Sequence, residues 1–342
     1  MRAIRLDGPR SLNLTELPLP EADGQQVRMK VSACGICGSD LHYWDAGRGM
    51  DGKPGLIPGH EFCGTVDDPG ARTDLPKGVR ITALPLNLCG TCESCRTGAD
   101  NICLQGMKRP IPGNNSPGAY AEYLLLRPDM VRALPDSVSD GQAVMIEPAA
   151  VALHAMRRAG VTTGRRVLVT GGGPIGVLVA AWARIAGASL VVLSEVDPFR
   201  KAFAERKGDA DAILDGRDPE LGRRLKKMSG GGFDAAVETT ARDQGYQTAL
   251  SALKPRGVLV LAGISLAMQQ VPTILSVIKE IRTKGSFAYH PEEFDTALAF
   301  IACKRLAVES MVTSTIGFDE VQATFERLSS GSSDQMKVMI KP

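Results

Sequence analysis

The chain has little charge bias. Over 342 residues, 40 Lys and Arg stand against 38 Asp and Glu, a net charge of +2, with both signs spread along the sequence. No basic stripe for nucleic acid or an anionic membrane surface is visible, so the expected partner is a small molecule. No run approaches the eighteen or more apolar residues of a membrane-spanning helix. Met1-Arg-Ala-Ile-Arg-Leu-Asp-Gly-Pro9 also lacks the apolar core of a secretory signal, and a cytoplasmic protein is expected. Internal repeats and low-complexity tracts are missing as well. Apolar residues at 44% and charged residues at 23% are ordinary globular values, which argues against disorder.

Glycine and cysteine are what the chain has in quantity. Its 37 glycines imply many tight turns or backbones that approach a ligand. In a cytosolic chain, 8 cysteines read as thiolates or buried apolar residues rather than disulfides. Seven of them fall between Cys34 and Cys103, with only Cys303 outside, and such crowding points to metal. The length suggests two domains.

The texture divides the chain near residue 140. Before it, strand-like runs such as Leu12–Leu17, Gln26–Ser32, Cys63–Asp67, Gly78–Leu84 and Gly118–Leu126 alternate with Pro and Gly punctuation, predicting an antiparallel β-rich domain with polar loops. From Ala143 to Gly160 the pattern is helical. Beyond it, apolar runs at Val167–Thr170, Leu190–Leu193, Phe233–Val237 and Val258–Leu261 alternate with helix-length segments, the mark of a doubly wound α/β domain with a parallel sheet. The last fifty or so residues are too few to fold alone and are expected to return to the first domain. Arg223–Lys227 reads as a solvated helix face.

Gly171, Gly173 and Gly176 fit G-x-G-x-x-G, a weak pattern by itself. Here it follows the strand Val167–Thr170 and opens a helix with Pro174 and Ile175, the context in which a pyrophosphate sits at a helix N-terminus. Glu195 ends the next strand, where an acid binds the adenosine ribose and repels a 2′-phosphate, so NAD is favoured over NADP. Arg200, five residues on, could instead accommodate that phosphate or lie against the adenine.

Cys89, Cys92, Cys95 and Cys103 form C-x2-C-x2-C-x7-C, four thiolates suited to a closed, structural zinc. The bacterial ferredoxin spacing differs, with three residues and then a cysteine followed by proline. A second set, Cys37 and His60 with Glu61 and Glu147 as the available oxygen donors, would leave zinc an open position, as Lewis-acid catalysis needs. Cys34, Cys63 and Cys303 read as core residues, and His154 and His290 as structural.

These residues resemble the zinc-containing medium-chain dehydrogenases, with the nearest likeness to the sorbitol and L-idonate 5-dehydrogenase branch. The likeness runs through Gly35–Trp44, Gly59-His-Glu61, the four-cysteine lobe, Glu147-Pro148 through His154, Gly173–Gly176 and Lys284–Phe287. It implies a GroES-like catalytic domain at 1–150 with a zinc lobe at 88–104, a Rossmann domain at 151–288, and a C-terminal return at 289–342. The resemblance also implies an active site in the cleft between the domains. It further implies two zinc ions. One is held by Cys37, His60 and Glu61, with Glu147 on the exchangeable water or in the coordination shell; the other is held by the four cysteines.

Ser39 and His42 match a proton relay through the nicotinamide ribose, Asp40 an acid that orients His60, and Tyr43 and Tyr289 the substrate wall. Gly263, Ser286 and Phe287 match cofactor contacts. The implied reaction is NAD-dependent oxidation of a secondary alcohol of a polyol or sugar acid to a ketone, in a homo-oligomer, dimer or tetramer, paired through the Rossmann domain. Sorbitol and idonate dehydrogenases carry an arginine where this chain has Ala288, so a vicinal diol of the 2,3-butanediol type is a serious alternative substrate. A nucleotide sensor with a structural zinc is the competing non-enzymatic reading.

Overall fold

A computed structural model of the chain describes residues 1–265, 267–331 and 334–342. It divides into two units, Met1–Glu147 with His290–Pro342, and Pro148–Tyr289. The C-terminal fifty-three residues therefore belong with the N-terminal unit.

In the first unit, β1 (Arg2–Gly8) and β2 (Ser11–Glu16) form an antiparallel hairpin. β3 (Val27–Gly35) leads through a short loop into α1 (Gly38–Ala46), and β4 (Glu61–Asp68) and β5 (Arg80–Ala83) follow. The short α2 (Glu93–Arg96) lies within the four-cysteine segment. β6 (Tyr123–Leu126), β7 (Val131–Ala133) and α3 (Asp140–Ala143) precede α4 (Ile146–Arg158), in which the division between units falls. Alternation in β3 buries Val27, Met29, Val31 and Ala33, the register that a half-buried strand requires.

The second unit alternates strand and helix: β8 (Arg166–Thr170), α5 (Pro174–Ile185), β9 (Leu190–Glu195), α6 (Pro198–Lys207), β10 (Ala212–Asp215), α7 (Leu221–Met228), β11 (Phe233–Glu238), α8 (Asp243–Ala252), β12 (Leu253–Leu261), α9 (Thr273–Ile278) and β13 (Arg282–Gly285). All six strands are parallel, in the order β10-β9-β8-β11-β12-β13. This is the doubly wound Rossmann order, with its switch point between β8 and β11. Phe233, Leu250 and Leu259 lie at the centre of its core. Trp182, 2% exposed, anchors α5 by donating from Nε1 to the Ala149 carbonyl at 2.9 Å.

The chain then returns to the first unit through α10 (Pro291–Ala302), β14 (Val312–Ile316), α11 (Val321–Ser329) and β15 (Lys337–Ile340). β15 pairs antiparallel with β3 and parallel with β14, completing a seven-stranded sheet in the order β14-β15-β3-β4-β5-β7, with β6 beside β3.

Three expectations change. The run Gly118–Leu126 is a strand only over Tyr123–Leu126. Its first half instead docks on the 57–59 backbone, with Gly118, Ala119 and Tyr120 N–H donating to the carbonyls of Ile57, Gly59 and Pro58. β10 and β13 were not apparent in the sequence, because one is a short strand and the other is an edge strand reading Arg-Thr-Lys-Gly. Cys303 is exposed rather than in the core: the buried face of α10 is Phe294, Ala297 and Ile301, and Cys303 caps the helix beyond it.

Trp182→Phe deletes the indole donor and leaves a cavity where the larger ring system stood. Urea denaturation is expected to give a loss of more than about 1 kcal/mol, the worth of one buried hydrogen bond plus the cavity. An unchanged midpoint would show that the bond contributes nothing.

Candidate metal centres and dinucleotide site

The Cys89–Cys103 segment has little apolar content and gathers its thiols instead. Sγ–Sγ distances are 3.9 Å for Cys89–Cys95, 3.5 Å for Cys92–Cys95 and 3.8 Å for Cys92–Cys103. Zinc–sulfur bonds of about 2.3 Å in a tetrahedron require sulfurs about 3.8 Å apart, so the four thiols already stand at zinc spacing. Backbone N–H groups aim at them, from Cys92 to Cys89 Sγ at 3.3 Å and from Cys89 to Cys103 Sγ at 3.4 Å. The Thr91 and Cys92 N–H groups lower the Cys89 thiol from the usual 9.0 to about 5. Cys95, by contrast, is raised to about 12 by burial and by the adjacent Cys92 and Cys103 sulfurs. Alone, then, the cluster does not hold four negative charges, and a dication would allow it to.

The second cluster is assembled by neighbouring strands and one helix start. Cys37 is the residue before α1, and its N–H donates to Asp40 Oδ2 at 2.9 Å. His60 immediately precedes β4, and Glu61 opens it, paired in register with Gly35 of β3. The ligand atoms of Cys37, His60 and Glu61 all lie within 4.8 Å of one another. One thiol, one imidazole and one carboxylate make a donor set that suits zinc and leaves a tetrahedral position open.

Supports surround these ligands. Asp40 is fully buried, and its Oδ1 faces His60 Nδ1 at 3.5 Å while Oδ2 accepts from the Tyr120 hydroxyl at 2.9 Å. A carboxylate behind a metal-binding imidazole fixes its tautomer and ring orientation. Burial works against charge on His60, but Asp40 and Cys37 raise its pKa well above 6.5, the mark of a negative potential at the cluster.

Lys337 is the largest addition to what the sequence suggested. It stands in the apolar run of β15, 4% exposed, and its Nζ reaches the two Glu61 carboxylate oxygens at 2.6 and 2.8 Å and the Ile36 carbonyl at 2.9 Å. Burial opposes its charge, yet Glu61 and Cys37 hold its pKa above the ordinary lysine value. A lysine in a strand otherwise made of Val, Met and Ile was the available signal.

The remaining expected residues fall as follows. Ser39 Oγ lies 3.5 Å from His60 Nε2. His42 is exposed, three residues further along α1. Glu147, in the first turn of α4, is outside the group of mutually close ligand atoms but raises the Lys337 pKa electrostatically. Tyr43 donates its hydroxyl to Asn114 Oδ1 at 2.7 Å and is pushed up to about 12, chiefly by burial, with His60 opposing and Asp40 and Cys37 adding to the rise. Cys34 is fully buried, and burial with nearby Asp40 and Glu61 raises its thiol far out of reach of redox chemistry.

In the second unit, Gly171, Gly173, Pro174, Ile175 and Gly176 form the β8–α5 turn. A Cβ on Gly176 would stand 1.9 Å from the Gly171 carbonyl oxygen, so only glycine fits this tight entry to the helix. The Glu195 carboxylate holds the turn by accepting from Gly172 N–H at 2.5 Å, and it accepts from Val196 and Asp197 N–H at 2.6 and 2.7 Å. Arg200 has its Nε buried without a hydrogen-bond partner, and its guanidinium would lie 3.8 Å from a Cβ on Gly173.

Glu238, which sequence reasoning passed over, is 2% exposed at the end of β11 and accepts from Thr240 and Ala241 N–H at 2.5 and 3.1 Å. It shapes the turn facing the glycine loop, where the Thr239 hydroxyl donates to the Thr170 carbonyl at 2.9 Å. Gly263 N–H donates to the Glu238 carbonyl, and Ser286 N–H to that of Leu261. Phe287 is half exposed, Ala288 has a left-handed φ of 49°, and Tyr289 is fully buried.

Two family models match this architecture: the alcohol dehydrogenase GroES-like domain over residues 23–136 and the zinc-binding dehydrogenase over residues 174–303. The chain belongs to the zinc-containing medium-chain dehydrogenases, in their polyol-dehydrogenase branch. It is an enzyme of the alcohol dehydrogenase type, with zinc and a nicotinamide dinucleotide as cofactors.

It is similar to the sorbitol dehydrogenase of Bacillus subtilis (strain 168), 31% identical over 100% of this chain and 97% of that protein. Among solved structures, 2R,3R-butanediol dehydrogenase from Bacillus subtilis is 27% identical with a TM-score of 0.88, covering 100% of this chain and 99% of that one. A zinc-binding dehydrogenase from Sinorhizobium meliloti 1021 bound to NADP is 28% identical with a TM-score of 0.87, also covering 100% and 99%. Among the described residues, no helix is long and apolar enough to cross a membrane.

Because the folded lobe lowers the Cys89 thiol from 9.0 to about 5, its thiolate contributes above the ordinary thiol value and is lost as pH falls through about 5. Protons compete with the metal for the four sulfurs, so zinc in the lobe should stay bound at pH 7 and be released on acidification. A chromogenic chelator reads the release, and retention at pH 4 would contradict it. Cys95→Ser is expected to shift release to higher pH.

Proposed function

We propose that the enzyme oxidises a secondary alcohol that carries a neighbouring hydroxyl, a polyol or vicinal diol, reversibly to the ketone with NAD. The observation that carries this reading is the convergence of Cys37, His60 and Glu61 within 4.8 Å, beside Ser39. The similarity to a sorbitol dehydrogenase and a butanediol dehydrogenase supports the substrate class. Long substrates such as sorbitol and L-idonate fit less well than a short vicinal diol, because Ala288 stands where an arginine would meet their hydroxyls or carboxylate.

Zinc held by Cys37, His60 and Glu61 would supply a Lewis acid for the alcohol oxygen, and the dinucleotide a hydride acceptor. Around that chemistry, Asp40 keeps His60 oriented and Lys337 balances the charge of Glu61. Ser39, partly buried and next to His60, takes the hydroxyl proton, and exposed His42 delivers it to solvent. Glu147 acts on the exchangeable ligand position. Cys89, Cys92, Cys95 and Cys103 hold the structural zinc.

Cys37→Ala is expected to lower NAD-dependent oxidation of 2,3-butanediol or sorbitol by at least about 10³-fold, in line with loss of a principal electrostatic contribution, while calorimetric NAD binding persists. Full turnover in that variant would remove the metal-centred mechanism. Metal analysis should give two zinc ions per chain; a single ion would favour the sensor reading.

For the cofactor, Gly171, Gly173, Pro174, Ile175 and Gly176 cradle the pyrophosphate, and Gly263, Ser286 and Phe287 follow the rest of the dinucleotide. Glu195 selects NAD, since its anchored carboxylate repels a 2′-phosphate and outweighs Arg200. Glu195→Gln keeps the shape and removes the charge, so the NADP-to-NAD ratio of kcat/KM should rise about tenfold or more. A wild-type preference for NADP would overturn the assignment. A cytoplasmic homo-oligomer fits the open edge strand β13 and the exposed Ile274, Val277 and Ile278 of α9.

A further inference from the structure

Asn114 was not apparent as a functional residue in the sequence. It lies in the 111–118 loop, and that loop is fixed to the segment carrying His60. A Cβ on Gly113 would stand 2.4 to 2.9 Å from the Gly59 backbone, and Gly118 and Ala119 N–H donate to the carbonyls of Ile57 and Gly59 at 2.8 and 2.9 Å. Asn114 itself is pinned by its backbone, its carbonyl accepting from Met50 N–H at 2.8 Å and its N–H donating to the Ile111 carbonyl at 3.1 Å.

Its side chain faces Tyr43. On α1, Tyr43 follows Ser39 by four residues and so sits on the same helix face, one turn of about 5.4 Å further along. Ser39 Oγ is beside His60, and the charges of His60, Asp40 and Cys37 act on the Tyr43 phenol, so both side chains serve the same centre.

The polarity of the pair follows from elimination. Asn114 Nδ2 is 3.4 Å from the Pro112 carbonyl, which can only accept, so the amide nitrogen belongs on that side and Oδ1 faces the phenol. The Tyr43 hydroxyl must then donate its one hydrogen to Oδ1, at 2.7 Å, and its oxygen is left with lone pairs only.

We infer that Asn114 is a specificity-determining positioning residue: by taking the Tyr43 hydrogen it makes the phenol an obligate acceptor, which selects a substrate able to donate a hydrogen bond next to the reacting carbon. A neutral vicinal hydroxyl has such a hydrogen. A methyl ether in its place has none and meets the phenol lone pairs instead. The inference rests on the proposed dehydrogenase activity and narrows its substrate to alcohols with a free hydroxyl on the neighbouring carbon over simple alcohols.

The test compares kcat/KM for 2,3-butanediol, 2-butanol and 3-methoxy-2-butanol in the wild type, Asn114→Ala, Asn114→Asp and Tyr43→Phe. The wild type should prefer the diol to 2-butanol by about 10²-fold or more, as a site built around a hydroxyl does. Asn114→Ala frees the phenol to donate, and the diol-to-butanol ratio should fall about tenfold, mainly through KM for the diol, while the methoxybutanol-to-diol ratio rises. Asn114→Asp still accepts the phenol hydrogen and should restore the ratio; Tyr43→Phe should lose it. Equal proportional losses on all three substrates in Asn114→Ala, or a wild type that takes 2-butanol as readily as the diol, would overturn the inference and leave the dehydrogenase reading standing. A wild type inactive on every secondary alcohol would overturn that reading itself.

Discussion

The buried ion pair between Glu61 and Lys337 is the constraint on which the first unit depends. Glu61 is 1% exposed beside a thiol and an imidazole, and a carboxylate in such a place must have a cation or be neutralised. Lys337 arrives from 276 residues away in sequence, carried in by the pairing of β15 with β3. The C-terminal return is therefore part of the site's electrostatics as well as of the sheet. The arrangement also limits the lysine, whose amine meets two carboxylate oxygens and one carbonyl and has no further hydrogen to give.

The two cysteine-bearing clusters differ in what a bound cation would find. Around Cys89, Cys92, Cys95 and Cys103 the donors are chemically uniform and already at tetrahedral spacing, so an ion there closes its own coordination and pins a segment with little core of its own. Around Cys37 there are three donors of three kinds, with a buried acid behind the imidazole and a buried amine behind the carboxylate. The imidazole and the carboxylate are thus held from behind by buried partners.

What was legible in the sequence follows from how local each signal is. Four cysteines within fifteen residues, or three glycines between an apolar strand and an apolar helix, carry their geometry in their spacing, and the structure holds both groups together. The alternation of apolar strands with helices likewise announced the doubly wound sheet. Lys337, Tyr120 and Asn114 were not legible, because each acts across more than seventy residues of chain, on Glu61, Asp40 and Tyr43 respectively. No periodicity links such pairs. β13 was missed because edge strands need little apolar character, and Cys303 was misread because a cysteine's burial depends on which side of a helix end it falls.

The same distinction between local and distant signals bears on specificity. An arginine on the substrate wall would select by charge and would be visible in a motif. This chain has Ala288 in place of that arginine, and Tyr43 on α1 is a phenol held by a neutral amide, so on the proposed function selection would rest on the direction of one hydrogen bond. Direction is a property of the whole chain of partners: Gly59 seats the 111–118 loop, the Pro112 carbonyl orients the Asn114 amide, and the amide orients the phenol. Each link is a neutral hydrogen bond worth about 1 kcal/mol to stability, yet reversing any one of them changes which substrates can be paired without leaving a buried polar group unsatisfied.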